Sequence, residues 1–390
     1  MTKCMAKQDL DEREKSIFKN LSDFQKKDFS FQSGRILGSM CSHPHPIAKK
    51  AFVQFLETNI GDPGLFPGTK EIEQEFISFI MDFLNSPPSA SGHIVSGGTE
   101  GNIAAMWVAK QLSNKNEIIL PSSAHFSFEK IASLMNMKLK TIPITQNHCM
   151  DITQLKKHIT SDTAAVIGIA GTTDLGAIDP IPEISEICEN EHIFFHVDAA
   201  FGGFIIPFLR NIGFHLPCID FSLKGLSTIS LDAHKMGYAT IPLGTLILRE
   251  KRWLEEISVK SQCISTETQA GILGTRSGAP VAAGYAVTQY LGKKGYEQLA
   301  KEVMDLTKYA VQNINNIGLE LVMEPPLNVI TVKVNKLNNI VDTLAEYGWK
   351  VNKVDHLSGF RIVIMPQITK SIIDKFIPIL KRTCHEVGEL

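Results

Sequence analysis

Residues 164–203 read AAVIGIAGTTDLGAIDPIPEISEICENEHIFFHVDAAFGG, and the fold follows from them. Ala164–Ala170 is a short apolar run, Ile184–Asn190 has helical spacing, and Ile193–Val197 is a second apolar run that ends on Asp198. Run, helix and run make a βαβ unit, whose parallel strands are apolar throughout because helices cover both faces. The alternation extends outward. Upstream, Glu117–Leu120 and Leu139–Pro143 are strand-like, with helices expected at Asn102–Leu112, Phe126–Met135 and Ile152–Ile159, the last capped by Asp151. Downstream, Thr228–Leu231 and Gly244–Leu248 continue the set. Toward the N-terminus, residues 13–27 and 46–59 read as helices. Ile72, Phe76, Ile80 and Phe83 give Thr69–Leu84 an amphipathic period that Pro87-Pro88 stops. Residues 278–316 are helix-rich, and strands near 328–334 and 361–364 alternate with helices near 337–347 and 370–386. The expected fold class is α/β, a mostly parallel sheet in a large domain at 66–277. An N-terminal helical segment at 1–65 precedes it and a small α+β C-terminal domain at 278–390 follows.

Composition excludes more than it selects. The 390 residues include 39 Lys+Arg against 41 Asp+Glu, with no basic block, so a nucleic-acid partner is not expected. No run of about 18 apolar residues is present to cross a membrane. The charged N-terminus, MTKCMAKQDLDEREKSIFKN, does not resemble a signal or transit peptide. Seven cysteines are scattered without a C-x-x-C, which points to reduced thiols in a cytoplasmic protein rather than a disulfide framework or zinc ribbon. Cys41 and Cys263 lie near other unusual segments, but neither is expected to be reactive, and no metal is expected.

In parallel sheets ligands gather at the carboxyl ends of the strands. G-x-G-x-x-G, G-K-[ST], H-E-x-x-H and G-x-S-x-G are all absent, which removes the dinucleotide, P-loop, zincin and serine-hydrolase readings. Four segments remain. Ser96-Gly97-Gly98-Thr99-Glu100-Gly101-Asn102 opens a helix with small residues, either an anion cradle at the helix N-terminus or a glycine turn with a Thr cap. Asp198 ends a buried strand and needs a cationic partner, either a metal or a protonated ring nitrogen; the small Ala199-Ala200 leaves room for a flat ligand. Lys235, in Asp232-Ala233-His234-Lys235-Met236, is a candidate Schiff-base amine or a surface lysine. His125, in Ser122-Ser123-Ala124-His125, is a candidate catalytic residue or a capping or core histidine. Together these match pyridoxal 5′-phosphate (PLP), which needs a lysine for its aldehyde and an acid for its pyridinium nitrogen.

On these residues the chain resembles the group II PLP-dependent amino-acid decarboxylases, most closely the archaeal L-tyrosine/L-aspartate decarboxylase branch. The resemblance runs from Gly38-Ser39-Met40-Cys41-Ser42 to Arg361-Ile362-Val363-Ile364-Met365-Pro366. It is most specific at Glu57–Phe66, His93–Asn102, His196–Phe208 and Asp232–Gly237. It implies a type I PLP-dependent transferase-like fold and a homodimer with active sites at the interface. It also implies that Lys235 holds PLP as a Schiff base, that Asp198 pairs with the pyridinium nitrogen, and that His125 and Ala200 cover opposite ring faces. By the same resemblance Gly98, Thr99 and His234, with Asp232, bind the phosphate, Thr172 approaches the 3-hydroxyl side, and Arg361 meets a substrate carboxylate. The implied reaction is decarboxylation of L-aspartate to β-alanine or of L-tyrosine to tyramine, products used for coenzyme A and methanofuran.

One departure stands out. The family's mobile loop usually carries a tyrosine that protonates Cα, and the matching loop, Ser261–Thr268, has none. Candidate donors are Lys235, a water, or His45 in Pro44-His45-Pro46, which is otherwise part of a polar turn. A small dicarboxylate would want a second cation, such as Arg276 or Arg361; an aromatic substrate would want an apolar slot near Phe31, Phe66 or Phe201. Two other readings stay open: a PLP lyase acting on a phosphorylated amino alcohol, and a non-catalytic PLP-fold protein.

Overall fold

The six apolar runs become six strands of a seven-stranded sheet. The computed structural model describes residues 2–262 and 264–390. It begins with helices α1 (Thr2–Gln25), α2 (Pro46–Gln54) and α3 (Pro67–Phe83). Strand and helix then alternate through β1 (Ser91–Val95), α4 (Gly98–Ser113), β2 (Glu117–Pro121), α5 (Ser127–Met135), β3 (Lys138–Ile142), α6 (Ile152–His158) and β4 (Thr163–Ile169). The alternation continues with α7 (Ile181–Asn190), β5 (Phe194–Asp198), α8 (Ile206–Asn211), β6 (Leu226–Asp232) and β7 (Gly244–Leu248). The order across the sheet is β1-β7-β6-β5-β4-β2-β3. The β4, β6 and β7 residues are buried throughout, as expected of strands covered on both faces. Asp151 caps α6, its Oδ1 accepting from the N–H groups of Thr153 and Gln154 at 2.8 and 3.1 Å.

The sheet departs from a purely parallel pattern at β7, which runs against both β1 and β6, while the other pairs are parallel. The connection from β6 to β7 spans only residues 233–243, which leaves no room for the helical crossover that a parallel pair needs. The strand β1 is absent from the sequence reading because Gly92 and His93 interrupt its apolar character; its pairing with β7 supplies what local propensity does not.

After the hairpin β8 (Ser258–Lys260) and β9 (Thr268–Ala270) come α9 (Ala279–Asn316), β10 (Glu320–Leu321), β11 (Val329–Lys333), α10 (Leu337–Glu346), β12 (Asn352–Val354), β13 (Gly359–Val363) and α11 (Lys370–Val387). A second, antiparallel sheet has the order β10-β11-β13-β12. Helix α9 breaks at Gly292, whose φ of 57° is left-handed. It packs against α2, α3, α8 and α11, its first part in the core under the large sheet and its last turns, with Ala310, Val311 and Ile314, in the core of the C-terminal sheet. Its Tyr296 is fully buried, stacks on Phe208 at 5.0 Å, and donates its hydroxyl to the Gly237 carbonyl at 2.9 Å, two residues beyond Lys235. Among the described residues no helix is long and apolar enough to cross a membrane.

The carboxyl end of β4 is tied down by Asp179, which is fully buried. Its carboxylate accepts from the Met150 and Ile169 N–H groups at 2.7 and 2.8 Å. Burial pushes this carboxyl up to about 6, against the pull of those two donors. A raised carboxyl stabilises the fold in its protonated form. That contribution is complete below the ordinary carboxyl value and is lost as pH rises through about 6. Relative to Asp179→Asn, the wild type is therefore expected to lose about 1 kcal/mol of stability between pH 5 and pH 7. Unfolding midpoints of the two proteins at both pH values check this, and a difference that stays constant between them refutes it.

Candidate active site

The carboxyl ends of β4, β5 and β6 and the segment after β1 open on one cavity of about 310 Å³, the position where parallel sheets place ligands. Of the residues expected from the sequence, Gly98, Thr99, His125, Asp198, Ala200, Asp232, His234 and Lys235 line it. They arrive from the first turn of α4, the loop before α5, the ends of β5 and β6, and the β6–β7 connection.

The α4 end is open to an anion. No side chain caps Gly97, so the first-turn N–H groups have no partner within the helix. A Cβ at Gly98 would lie 2.9 Å from the Ala200 Cβ and 3.3 Å from Asp232 Oδ2, so glycine keeps the cradle clear. Asp198 is held at both oxygens: Oδ1 accepts from the Ala200 N–H at 3.1 Å, and Oδ2 from Asn102 Nδ2 at 2.8 Å. The Lys235 Nζ lies 3.3 Å from Asp232 Oδ2, and His234 Nε2 lies 3.7 Å from the same oxygen. His125 accepts the Ser127 N–H at Nδ1, 3.2 Å away. Burial lowers its pKa, with the Asp198 charge opposing, which favours a neutral imidazole at pH 7.

Asp232 Oδ1, Glu100 Oε1 and Ser123 Oγ are buried without a protein partner, and all three residues line the cavity. Orphaned buried polar atoms on a cavity wall ask for a polar ligand. PLP fits this wall: its phosphate suits the uncapped α4 end, its flat ring suits the His125 imidazole and Ala200 methyl, and Asp198 offers a carboxylate to a ring nitrogen.

Three of the expected residues lie elsewhere. Thr172 is buried but turned into its own loop, where Oγ1 accepts from the Ala177 N–H at 3.0 Å; its neighbours Gly171 and Thr173 line the cavity instead. Arg361, on β13, sits behind that wall, donating to the carbonyls of Thr173 at 2.6 Å and Gly38 at 2.7 Å, with its Nε unpartnered. His45 is the cap of α2, accepting the Ile47 N–H at 3.2 Å with its ring against Tyr238 and Tyr290, and does not reach the cavity. Arg276 is turned toward Glu73, 3.9 Å away, and donates to the Ile94 carbonyl. Burial raises the Cys41 thiol, which disfavours its thiolate; Cys263 lies outside the described residues. The rest of the tyrosine-free loop caps the β8–β9 hairpin, where the Ser265 N–H donates to Asp62. Among the described residues no His, Cys, Asp and Glu side chains gather as a metal-ligand set. Residues that sequence reasoning left unassigned also meet here: Glu100, Ser123, and Asn102 with its partners His196 and Ser230. The available signal was polar side chains two apart, His196 with Asp198 and Thr228 with Ser230, inside otherwise apolar strands.

The pyridoxal-dependent decarboxylase conserved domain matches residues 67–335. Over 349 residues the chain is 43% identical to the probable L-tyrosine/L-aspartate decarboxylase of Methanothermobacter thermautotrophicus, covering 88% of this chain and 96% of that protein. Over 362 residues it is 41% identical to the probable L-aspartate decarboxylase of Pyrococcus abyssi, covering 92% and 94%. The sphingosine-1-phosphate lyase of Burkholderia pseudomallei superposes with a TM-score of 0.87 at 24% identity, covering 96% of this chain and 90% of that one, a likeness of fold alone. The cradle geometry gives a direct expectation. Gly98→Val should keep the fold by circular dichroism and lose about tenfold or more in PLP affinity, ~1.4 kcal/mol. Equal affinity in an absorbance titration would place the phosphate elsewhere.

Proposed function

The chain belongs to the pyridoxal-dependent decarboxylase family, and from that premise we propose that it converts L-aspartate to β-alanine, with L-tyrosine to tyramine as the second reading. It is a PLP-dependent amino-acid carboxy-lyase of the type I PLP fold. The observation that carries the reading is the convergence of Asp198, Lys235 and the uncapped end of α4 on one cavity. Both relatives named above carry aspartate in their names, and one also carries tyrosine. For aspartate, Arg361 offers a buried guanidinium with a free Nε behind Thr173. For tyrosine, Met40, Ile169 and Phe201 give the cavity an apolar side. Cleavage of a phosphorylated amino alcohol is not favoured, since the lyase likeness is one of fold and the curated relatives are decarboxylases.

When bound, PLP supplies an aldehyde for the substrate amine and a ring that takes up the electron pair left as CO₂ departs. The residues of this chain do the rest. Lys235 would hold the cofactor in the resting enzyme. The α4 amides, Thr99 and His234 would bind its phosphate, with Asp232 beside them. Asp198 would keep a proton at the ring nitrogen, since a buried carboxylate is stable only against a charged or donating partner. His125 and Ala200 would pack on opposite faces of the ring and fix its position in the cavity. The apolar side of the cavity excludes water, which favours loss of the carboxylate charge. With no tyrosine in 261–268, Lys235 Nζ is the candidate group to return a proton to Cα.

The working unit is proposed as a cytoplasmic homodimer with the active sites at its interface. Ile17, Phe18, Leu21 and Phe24 form an exposed apolar stripe on α1 that a second copy would cover, and Cys41, Cys149, Cys188, Cys218 and Cys384 are free thiols. The proposed domains are 1–65, 66–277 and 278–390, the seven-stranded sheet falling in the second and the four-stranded sheet in the third.

Lys235→Ala is expected to lose the yellow colour that borohydride bleaches and to slow turnover by about 10³-fold or more; normal turnover would sink the assignment. Asp198→Asn is expected to retain PLP and lose most of the rate. CO₂ release with each substrate in turn decides between aspartate and tyrosine, and release from neither defeats both readings.

A further inference from the structure

We propose that Asn102, itself fixed by His196 and Ser230, is a positioning residue that holds the Asp198 carboxylate in the one orientation that meets the ring nitrogen of PLP. The inference rests on the reading of Asp198 given above and assigns work to residues that the reading leaves idle.

The placement follows from strand geometry. His196 and Asp198 are two apart on β5 and so face the same side of the sheet. Their partners across the ladder are Thr228 and Ser230 on β6. Helix α4 packs on these strands and brings Asn102 to the same side. Asn102, Ser127, His196, Thr228 and Ser230 are each at most 1% exposed, and Asp198 is 6% exposed. A polar cluster this dry is stable only when each donor meets an acceptor.

That condition fixes the protons. A carboxylate only accepts, so the Asn102 atom 2.8 Å from Asp198 Oδ2 is the amide nitrogen. The same nitrogen reaches Ser127 Oγ at 3.2 Å, which uses both of its N–H groups. Asn102 Oδ1 then faces Ser230 Oγ at 2.9 Å and His196 Nε2 at 2.9 Å, and both must donate to it. His196 therefore carries its proton on Nε2, and its bare Nδ1 accepts from the Thr228 hydroxyl at 2.8 Å. The donors run in one direction, from Thr228 through His196 and Asn102 to Asp198.

This arrangement resists reversal. A flipped Asn102 amide would aim its N–H groups at two donors and its carbonyl at a carboxylate. Burial lowers the imidazole to about 4, so His196 contributes direction rather than positive charge. With Oδ2 held by Asn102 and Oδ1 by the Ala200 N–H, the carboxylate cannot turn. A fixed acceptor at the ring nitrogen is what retention of the ring proton requires.

The test is to load the holoenzyme with PLP labelled with ¹⁵N in the ring and to read the nitrogen shift, the PLP affinity, kcat and KM. Asn102→Leu and His196→Leu are expected to move the shift toward unprotonated pyridine, to weaken PLP, and to lower kcat about tenfold or more with little change in KM. His196→Gln keeps a side-chain N–H for Asn102 and is expected to restore the pyridinium shift. Ser230→Ala removes one of the two donors with little risk to folding and is expected to fall between wild type and Asn102→Leu. A wild-type shift in Asn102→Leu overturns the proposal, as does His196→Gln behaving like His196→Leu. If either leucine variant does not fold, a wild-type shift and rate in Ser230→Ala overturns it instead. Asp198→Ala separates the two levels: an unchanged shift there defeats the reading of Asp198 itself, whereas a changed shift there with none in the Asn102 and Ser230 variants defeats this inference alone.

Discussion

A carboxylate at the inner end of a buried strand is unstable on its own, with an effective desolvation penalty of several kcal/mol. Asp198 is that group, and much of the architecture around it consists of answers to its charge. Two N–H donors take one oxygen each. The neighbouring strand β6 gives up two apolar positions so that Thr228 and Ser230 can complete the chain of donors. The open side of the carboxylate faces the cavity, where the protein supplies an ammonium at Lys235 but holds it 3.3 Å from a second acid, Asp232. A cationic ring nitrogen is the partner that such a site lacks.

The same wall explains how an anion is accommodated beside three acids. Glu100, Asp198 and Asp232 line the cavity against the single ammonium of Lys235. Attraction for phosphate must then come largely from the backbone, through N–H groups that no side chain caps and a helix dipole aimed at the cavity. Glu100 reinforces this by accepting the Ser96 N–H, which fixes the turn that leads into the helix. The glycines matter for the same reason, since only bare backbone can approach a ligand closely enough to use those donors.

Much of this was legible in the sequence, because period and strand-end position are local signals. The βαβ alternation, the Asp151 cap, and the gathering of Gly98, His125, Asp198 and Lys235 all rest on such signals. What was not legible depends on partners distant in sequence. The strand β1 exists because β7 pairs with it, and β7 reverses because its connection is short. Thr172 and its neighbours look equivalent in sequence, yet the turn to Ala177 takes the Thr172 hydroxyl and leaves Thr173 on the wall. His45 follows a proline and precedes another, and the helix that starts there uses its imidazole as a cap. Asn102 looked like one more residue after a glycine turn, because nothing local tells which strand a helix will cover.

Helix α9 has a place in this scheme through one hydroxyl. Tyr296 is buried in the core under the large sheet and grips the carbonyl of Gly237, so the segment bearing Lys235 hangs from helix α9, whose later turns pack in the core of the C-terminal part of the chain. The lysine's position is thus set from outside the sheet it serves. A displacement of α9 is therefore transmitted to the segment that carries the amine. Conversely, a ligand bound through Lys235 would steady α9 through this grip, and its binding energy would be shared by regions that never touch it.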